Sequence, residues 1–237
     1  MRHFHSEKIL KALCETPRLY TIGPKMTTSH CLSPIYADMR RCYSDPKSMR
    51  IICKEIIKFI SAKKIKFDFV VGGATAGIPL GTALGLLMNK PFGYVRKQPK
   101  DGGMGLAVEG GWRPGMTALL IDDAAAHGAS KIPFVHNIRA AGMKINWVIV
   151  PVARTLREPN ATKDHGWIKQ EKIQLQAFCD INDMGEYAYK HKIISHDAYL
   201  LYNWYASDPH HWQDDKKKWQ FFQDYLKMPK HDSRSGV

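Results

Sequence analysis

The sequence predicts an α/β fold built on a doubly wound, mainly parallel sheet. Three observations carry this. Short apolar runs of strand length recur along the chain. Each is followed by a turn of small or charged residues. Segments with helical apolar spacing separate them.

The elements follow in order. Asp45-Pro46 opens a helix that runs to about Lys64, with Ile51, Ile52, Ile56, Ile57 and Ile60 at helical spacing. Phe67 to Val71 (FDFVV) is a short apolar strand of the type buried on both faces of a parallel sheet. Gly72, Gly73 and Gly77 punctuate a turn, and a helix follows from about Ile78 to Met88. Pro91 to Arg96 reads as the next strand. Lys97 to Gly111 holds five glycines among basic and small residues and reads as a loop. Thr117 to Ile121 (TALLI) is another buried strand, ending in Asp122-Asp123. A helix from about Ser130 to Ala141 and a strand from Ile145 to Val152 come next, then a polar stretch to about Lys172. Ile173 to Phe178 is a last strand, and two or three helices finish the chain. Ligands of such sheets sit at the carboxyl ends of the strands. That rule nominates Gly72–Gly77, Asp122–Ser130 and the residues from Ala153 onward.

Composition narrows the class. The 237 residues suit one large domain or one domain with an extension. With 44% hydrophobic and 24% charged residues, the chain can bury a core and stay soluble. No apolar run approaches the roughly 18 residues of a membrane helix. The start, MRHFHSEKIL, lacks the apolar stretch of a secretory signal. Five cysteines, odd in number and never spaced C-x-x-C, read as reduced thiols of a cytoplasmic protein, not as disulfides or a zinc site. The net charge of +13 admits a nucleic acid, a membrane surface or an anionic substrate. The basic residues are spread along the chain, and Lys216, Lys217 and Lys218 read as a solvated helix face. No helix-turn-helix or other DNA-reading module is evident, which disfavours nucleic acid.

The segment ALLIDDAAAHGAS, Ala118 to Ser130, carries the most chemistry. An apolar strand delivers two adjacent carboxylates to its end. A loop of small residues with His127 then opens a helix. Its backbone N–H groups and the helix N-terminus make an anion site suited to phosphate. The carboxylates would repel that phosphate unless they face sugar hydroxyls or a hydrated Mg²⁺. A phosphate beside a polyol is a ribose 5-phosphate. The plainer alternative is a βα turn with an Asp capping its helix. A P-loop is disfavoured, because Gly72-x₄-Gly77 is followed by Ile78 and not by Lys-Ser/Thr.

This segment resembles the phosphoribosyl-diphosphate signature of type I phosphoribosyltransferases, through Asp122, Asp123 and Gly128. Further segments resemble orotate phosphoribosyltransferase, in order, over most of residues 10 to 190. Ser33 to Arg40 (SPIYADMR) is similar to that family's N-terminal hood segment. Gly72 to Pro79 (GGATAGIP) resembles its diphosphate loop. Arg96, Lys97 and Lys100 match the R-K-x-x-K pattern of its catalytic loop, and Arg154 matches an arginine used on orotate.

The resemblance implies transfer of the 5-phosphoribosyl group to orotate, giving orotidine 5′-phosphate and diphosphate in pyrimidine biosynthesis. It implies a catalytic set of Lys100, Asp122 and Asp123. Tyr36, Thr75, Ala76, Arg96, Lys97 and Arg154 would bind substrates, and Ala125, Ala126, His127, Gly128, Ala129 and Ser130 would hold the 5-phosphate. Mg²⁺ would be held mainly by the substrate, reached through water by Asp122 or Asp123, with no direct protein ligand. The resemblance further implies a homodimer that shares loop 96–110 across its interface. Residues 1–192 would form the transferase domain, with a hood of about 1–45, and 193–237 a helical C-terminal extension.

Several positions depart from the family pattern. Thr27 and Thr28 stand where a Lys is usual, Gly102 where His or Tyr is common, and Ala153 where an acidic residue precedes the arginine. Thr75 and Ala76 replace an aromatic residue and sometimes Lys. Ala126 and His127 stand where Thr or another small residue is common, and a lost hydroxyl removes a phosphate hydrogen bond worth about 1.5–3 kcal/mol. These positions keep two alternatives open: a non-catalytic phosphoribosyl-diphosphate-binding regulator, and a transferase for another base.

Overall fold

The computed structural model describes residues 5–27, 30–99, 106–126, 128–154 and 166–228. The chain enters on α1 (Glu7–Cys14), which Ser6 caps by accepting the Ile9 N–H at 3.3 Å. An antiparallel ribbon follows, β1 (Tyr20–Met26) and β2 (Leu32–Ala37), with a register shift between Ile22 and Lys25. A 3₁₀ turn, Met39–Ser44, leads into α2 (Pro46–Ala62). Asp45 accepts from the Lys47 and Ser48 N–H groups, and Pro46 stands in the first turn, where a missing N–H costs nothing. This start agrees with the sequence; the helix ends two residues short of the expected Lys64.

The central sheet then assembles. Its strands are β3 (Phe69–Gly73), β4 (Phe92–Val95), β5 (Val108–Gly110), β6 (Thr117–Ile121), β7 (Ala124–Ala125), β8 (Lys144–Ala153) and β9 (Gln174–Asp180). The order is β5-β4-β3-β6-β8-β7, with β9 also pairing β8. All pairings are parallel except β4 with β5. Helices α3 (Gly77–Leu87) and α4 (Lys131–Ala140) are crossovers. The doubly wound, mainly parallel architecture is the expected one.

Side chains alternate across this sheet. Val70, Leu119, Ile121 and Ile149 enter one core with α1 and α2, while Phe69, Val71, Leu120 and Val148 enter the other with α4. Burial on both faces is why these strands read as unbroken apolar runs.

Two expectations shift. The strand expected at Phe67–Val71 begins at Phe69 and continues to Gly73, because Asp68 exchanges backbone and side-chain hydrogen bonds with Thr117 at the mouth of β6. The stretch expected as loop to Gly111 ends in β5, whose residues pair with Gly93–Val95 at the sheet edge.

Among the described residues, three α-helices follow β9: α5 (Ile181–Lys190), α6 (His196–Ser207) and α7 (Lys216–Lys227). Asp180 and Asp183 form a capping box at α5. Trp212 and Phe222 pack with Leu201, Tyr205 and Cys31, and the Trp212 indole donates to the Leu32 carbonyl at 2.7 Å. The C-terminal helices are thereby fastened to the β1–β2 ribbon. Lys216 and Lys217 are exposed, and the Lys218 ammonium lies 5.9 Å from the Trp204 ring centroid.

Gly77 sets how closely α3 meets β6. A Cβ there would lie 2.9 Å from the Asp122 Cα and closer still to the Ile121 carbonyl oxygen. An ordinary helical Gly→Ala change stabilises by roughly 1 kcal/mol. Here Gly77→Ala is expected to destabilise by about 1–3 kcal/mol through overpacking, measured by urea unfolding. A gain in stability would mean that α3 can retreat freely.

Candidate active site

A cavity of about 760 Å³ opens at the carboxyl ends of β3, β6 and β8. One wall is the end of β6. Asp122 is buried there, and its Oδ2 accepts from the Lys131 Nζ at 2.6 Å. That ammonium also donates to the Ser130 Oγ at 3.0 Å. Lys131 is buried at the first position of α4, where a cation opposes the helix dipole. A carboxylate beside it offsets that cost.

Asp123 is half-buried and turns its Oδ1 to the Ala124 N–H at 2.7 Å. Burial and then Asp122 raise its carboxyl to about 6, while Lys131 and Arg40 pull the other way. The folded chain therefore holds this proton more tightly than the unfolded chain. The associated stability is fully present below the ordinary carboxylate range and is lost as pH rises through about 6.

The small-residue loop lies beside the pair. Ala125 and Ala126 line the cavity, as does Ser130. Gly128 has φ +81°, and a Cβ there would sit 2.7 Å from the Trp167 ring, so only glycine fits. Trp167 supports the loop by donating to the Ala126 carbonyl at 3.2 Å. Gly128 is buried and Ala129 is exposed, and neither lines the cavity. His127 lies outside the described residues.

Thr75 and Ala76, in the turn after β3, also line the cavity. The Ala74–Thr75 peptide is cis. The Ala76 carbonyl accepts from the Tyr43 hydroxyl, which burial and the two carboxylates push well above its usual range. Tyr36 and Arg40 come from the hood segment, and Arg40 is paired with Asp38 at 2.6 Å. Burial first raises the Tyr36 hydroxyl as well.

The cations of the glycine-rich loop are not all in one place. Lys97 lines the cavity. Arg96 instead donates to the Tyr94 hydroxyl at 2.9 Å and lies 3.6 Å from Glu109, at the edge of the sheet. Lys100, Gly102 and Thr28 lie outside the described residues. Arg154, buried just past β8, lines the same cavity together with Tyr202 and Tyr205 of α6.

Sequence reasoning missed Lys131, Tyr43, Tyr202 and Tyr205. The lysine left a legible signal, since a cation in the first turn of a helix needs a reason. The tyrosines left none, because only tertiary structure brings them to the cavity.

An acid pair at the end of a central strand, a small-residue loop opening a helix beside it and a hood over the cavity define the type I phosphoribosyltransferase class. No family model matches the chain. It is 32% identical over 212 residues to the orotate phosphoribosyltransferase of Phocaeicola vulgatus, spanning 89% of this chain and 96% of that one. The structure of Leishmania donovani UMP synthase superposes with a TM-score of 0.70 at 24% identity, over 84% of this chain but only 42% of that one. Orotate phosphoribosyltransferase from Aeropyrum pernix superposes with a TM-score of 0.62 at 24% identity, over 76% of this chain and 98% of that one. The chain belongs to the orotate phosphoribosyltransferase family.

Removing one partner of a buried ion pair leaves the other charge stranded, typically at a cost of about 3–5 kcal/mol. Lys131→Met is expected to destabilise the protein by that order in urea unfolding at pH 7. Lys131→Met with Asp122→Asn is expected to recover part of the loss. No recovery would make packing, and not charge, the source of the effect.

Proposed function

We propose that the chain transfers the 5-phosphoribosyl group of phosphoribosyl diphosphate to orotate, in pyrimidine nucleotide biosynthesis. The observation that carries this is a single cavity lined by the acid pair, by Ala125, Ala126 and Ser130 of the small-residue loop, and by the buried Arg154. The bond from the anomeric carbon to the diphosphate oxygen breaks, and its electron pair leaves with diphosphate. Orotate N1, having given up its proton, forms the new bond to that carbon with inversion.

In this reading Asp122 and Asp123 accept from the ribose hydroxyls and offset the positive charge of an oxocarbenium-like transition state. The 125–130 loop holds the 5-phosphate. Lys97 meets the diphosphate, as does Lys100. Arg154 pairs with the orotate carboxylate. The oxygen-rich acid pair suits Mg²⁺, a hard cation. Asp122 already spends one oxygen on Lys131, so the ion would be held mainly by substrate oxygens and reached through water. Bound there, it would neutralise diphosphate charge.

Homodimerisation is part of the proposal, with the 96–110 loop serving the neighbouring site. Arg96, turned to the sheet edge in the single chain, would act there. Exposed Leu86 and Leu87 at the end of α3 give apolar surface for such a contact. All five cysteines are buried and none is joined in a disulfide, which suits a reducing cytoplasm. Among the described residues, no helix is long and apolar enough to cross a membrane.

The direct test is diphosphate release from phosphoribosyl diphosphate and Mg²⁺ against a panel of bases. Orotate is expected to be the preferred base, and Lys100→Ala is expected to lower turnover by about 10²-fold or more. Donor binding without turnover on any base would point to a regulator. Turnover on another base would point to a sister transferase.

Donor binding also depends on pH through Asp123, whose carboxyl is raised to about 6. Protonated, it loses its strength as an acceptor of ribose hydroxyls. Affinity for phosphoribosyl diphosphate is expected to rise as pH passes upward through about 6 and then level off, with protons released on binding near that pH. Calorimetry in buffers of different ionisation enthalpy checks this, and Asp123→Asn is expected to abolish the proton release.

A further inference from the structure

Arg154 is not held by its own strand alone. Its backbone N–H donates to the Ala125 carbonyl at 2.8 Å, which fixes the main chain beside the phosphate loop. Its side chain is held from 51 residues away. Nη2 donates to the Tyr205 backbone carbonyl at 3.1 Å, and Nη1 lies 3.3 Å from the Tyr205 hydroxyl. The guanidinium carbon sits 4.8 Å from the centroid of the same ring. One residue therefore grips the arginine through its backbone, its hydroxyl and its ring face.

The helix makes this grip favourable. Tyr205 is in the last turn of α6, where carbonyl groups lack intrahelical partners and the dipole attracts cations. The guanidinium caps that end. The helix is itself fixed. The Tyr202 hydroxyl donates to the Ile181 carbonyl at 2.7 Å, and Tyr205 packs in the cluster with Trp212 that is tied to Leu32 of the hood. Tyr205 is buried, yet it lines the cavity beside Arg154.

We propose that Tyr205 is a positioning residue for base recognition, and that the C-terminal extension acts through it to set selectivity for a carboxylate-bearing base. A guanidinium offers five donors in a rigid fork, and a bidentate carboxylate contact needs that fork fixed in plane and direction. Tyr205 takes two donors and one face, which fixes the plane and direction of the fork. The inference rests on the proposed reading of Arg154 as the group that meets the orotate carboxylate.

The test compares orotate with uracil, which lacks the carboxylate, in the full-length protein. Tyr205→Ala is expected to raise KM for orotate by about 10-fold or more. KM for phosphoribosyl diphosphate and kcat should change by less than about 3-fold, and the preference for orotate over uracil should fall with the KM effect. Tyr205→Phe keeps the ring and the backbone carbonyl and is expected to restore most of the preference. Tyr205→Leu keeps apolar bulk in the cluster without the aromatic face, so it separates lost positioning from lost packing; it should behave like the alanine variant. Combining Tyr205→Ala with Arg154→Ala should be no worse for orotate than Arg154→Ala alone, since both act on one contact. A folded variant is recognised by an undiminished rise in melting temperature with phosphoribosyl diphosphate. An unchanged orotate-to-uracil preference in the alanine and leucine variants, or equal losses for both bases and for the donor, would overturn the proposal. Absence of orotate turnover in the unmodified protein would instead sink the functional reading on which it rests.

Discussion

Placing two carboxylates side by side at the end of a buried strand creates a charge that the surrounding structure must accommodate. Asp122 has almost no access to water, and Asp123 is half-buried. The chain answers with a lysine bonded to the first carboxylate at 2.6 Å and with glycines that let neighbouring backbone come close. Gly73 and Gly77 both abut Asp122, so the diphosphate loop and α3 are drawn against the acid pair. Asp123 is left as the less compensated member, with its carboxyl raised to about 6. The pair is thus divided by environment: one carboxylate is fixed by a protein cation, and the other can respond to what enters the cavity.

The cavity has two construction principles. The end proposed to take phosphate and ribose is made by consecutive residues at the end of β6 and the start of α4, positioned by the parallel sheet. The end proposed to take the base is assembled from parts remote in sequence: Tyr36 of the hood, Arg154 after β8 and Tyr205 of α6. The first end needs only a strand, a turn and a helix. The second needs the hood and the C-terminal helices docked on one another, which the indole of Trp212 and the cluster around it accomplish. On this architecture, recognition of the sugar phosphate and of the base can change independently.

That division explains how much was legible. Strands buried on both faces and helices with strong caps, such as Pro46–Ala62, announce themselves locally. So does the acid pair with its loop, because its chemistry is contiguous. The ribbon of β1 and β2 and the short edge strand β5 did not, since their pairing depends on partners and not on pattern. Phe67 and Asp68 read as strand but act as the approach to it, because Asp68 ties itself to Thr117. Arg96 read as one of three clustered cations, whereas Tyr94 and Glu109 hold it at the sheet edge. Tyr43 and Tyr205 could not be nominated at all. Each acts through a contact formed only after folding.

The charge of the whole chain gains a meaning at this site. A net charge of +13 without a basic arm is hard to assign to a nucleic-acid partner. Yet both proposed substrates are anions, one carrying phosphate and diphosphate and the other a carboxylate. A diffusely positive molecule raises the local concentration of both and speeds their approach. Such a field cannot tell them apart. Discrimination must come from fixed groups within the cavity, where Lys97 and Arg154 share the lining with an acid pair whose own negative charge is partly cancelled by Lys131. The acid pair thereby sets residual negative charge among the cations of the cavity. A donor with charge at both ends of a neutral ribose fits that mixture of charge, and so does an acceptor whose single carboxylate reaches the arginine.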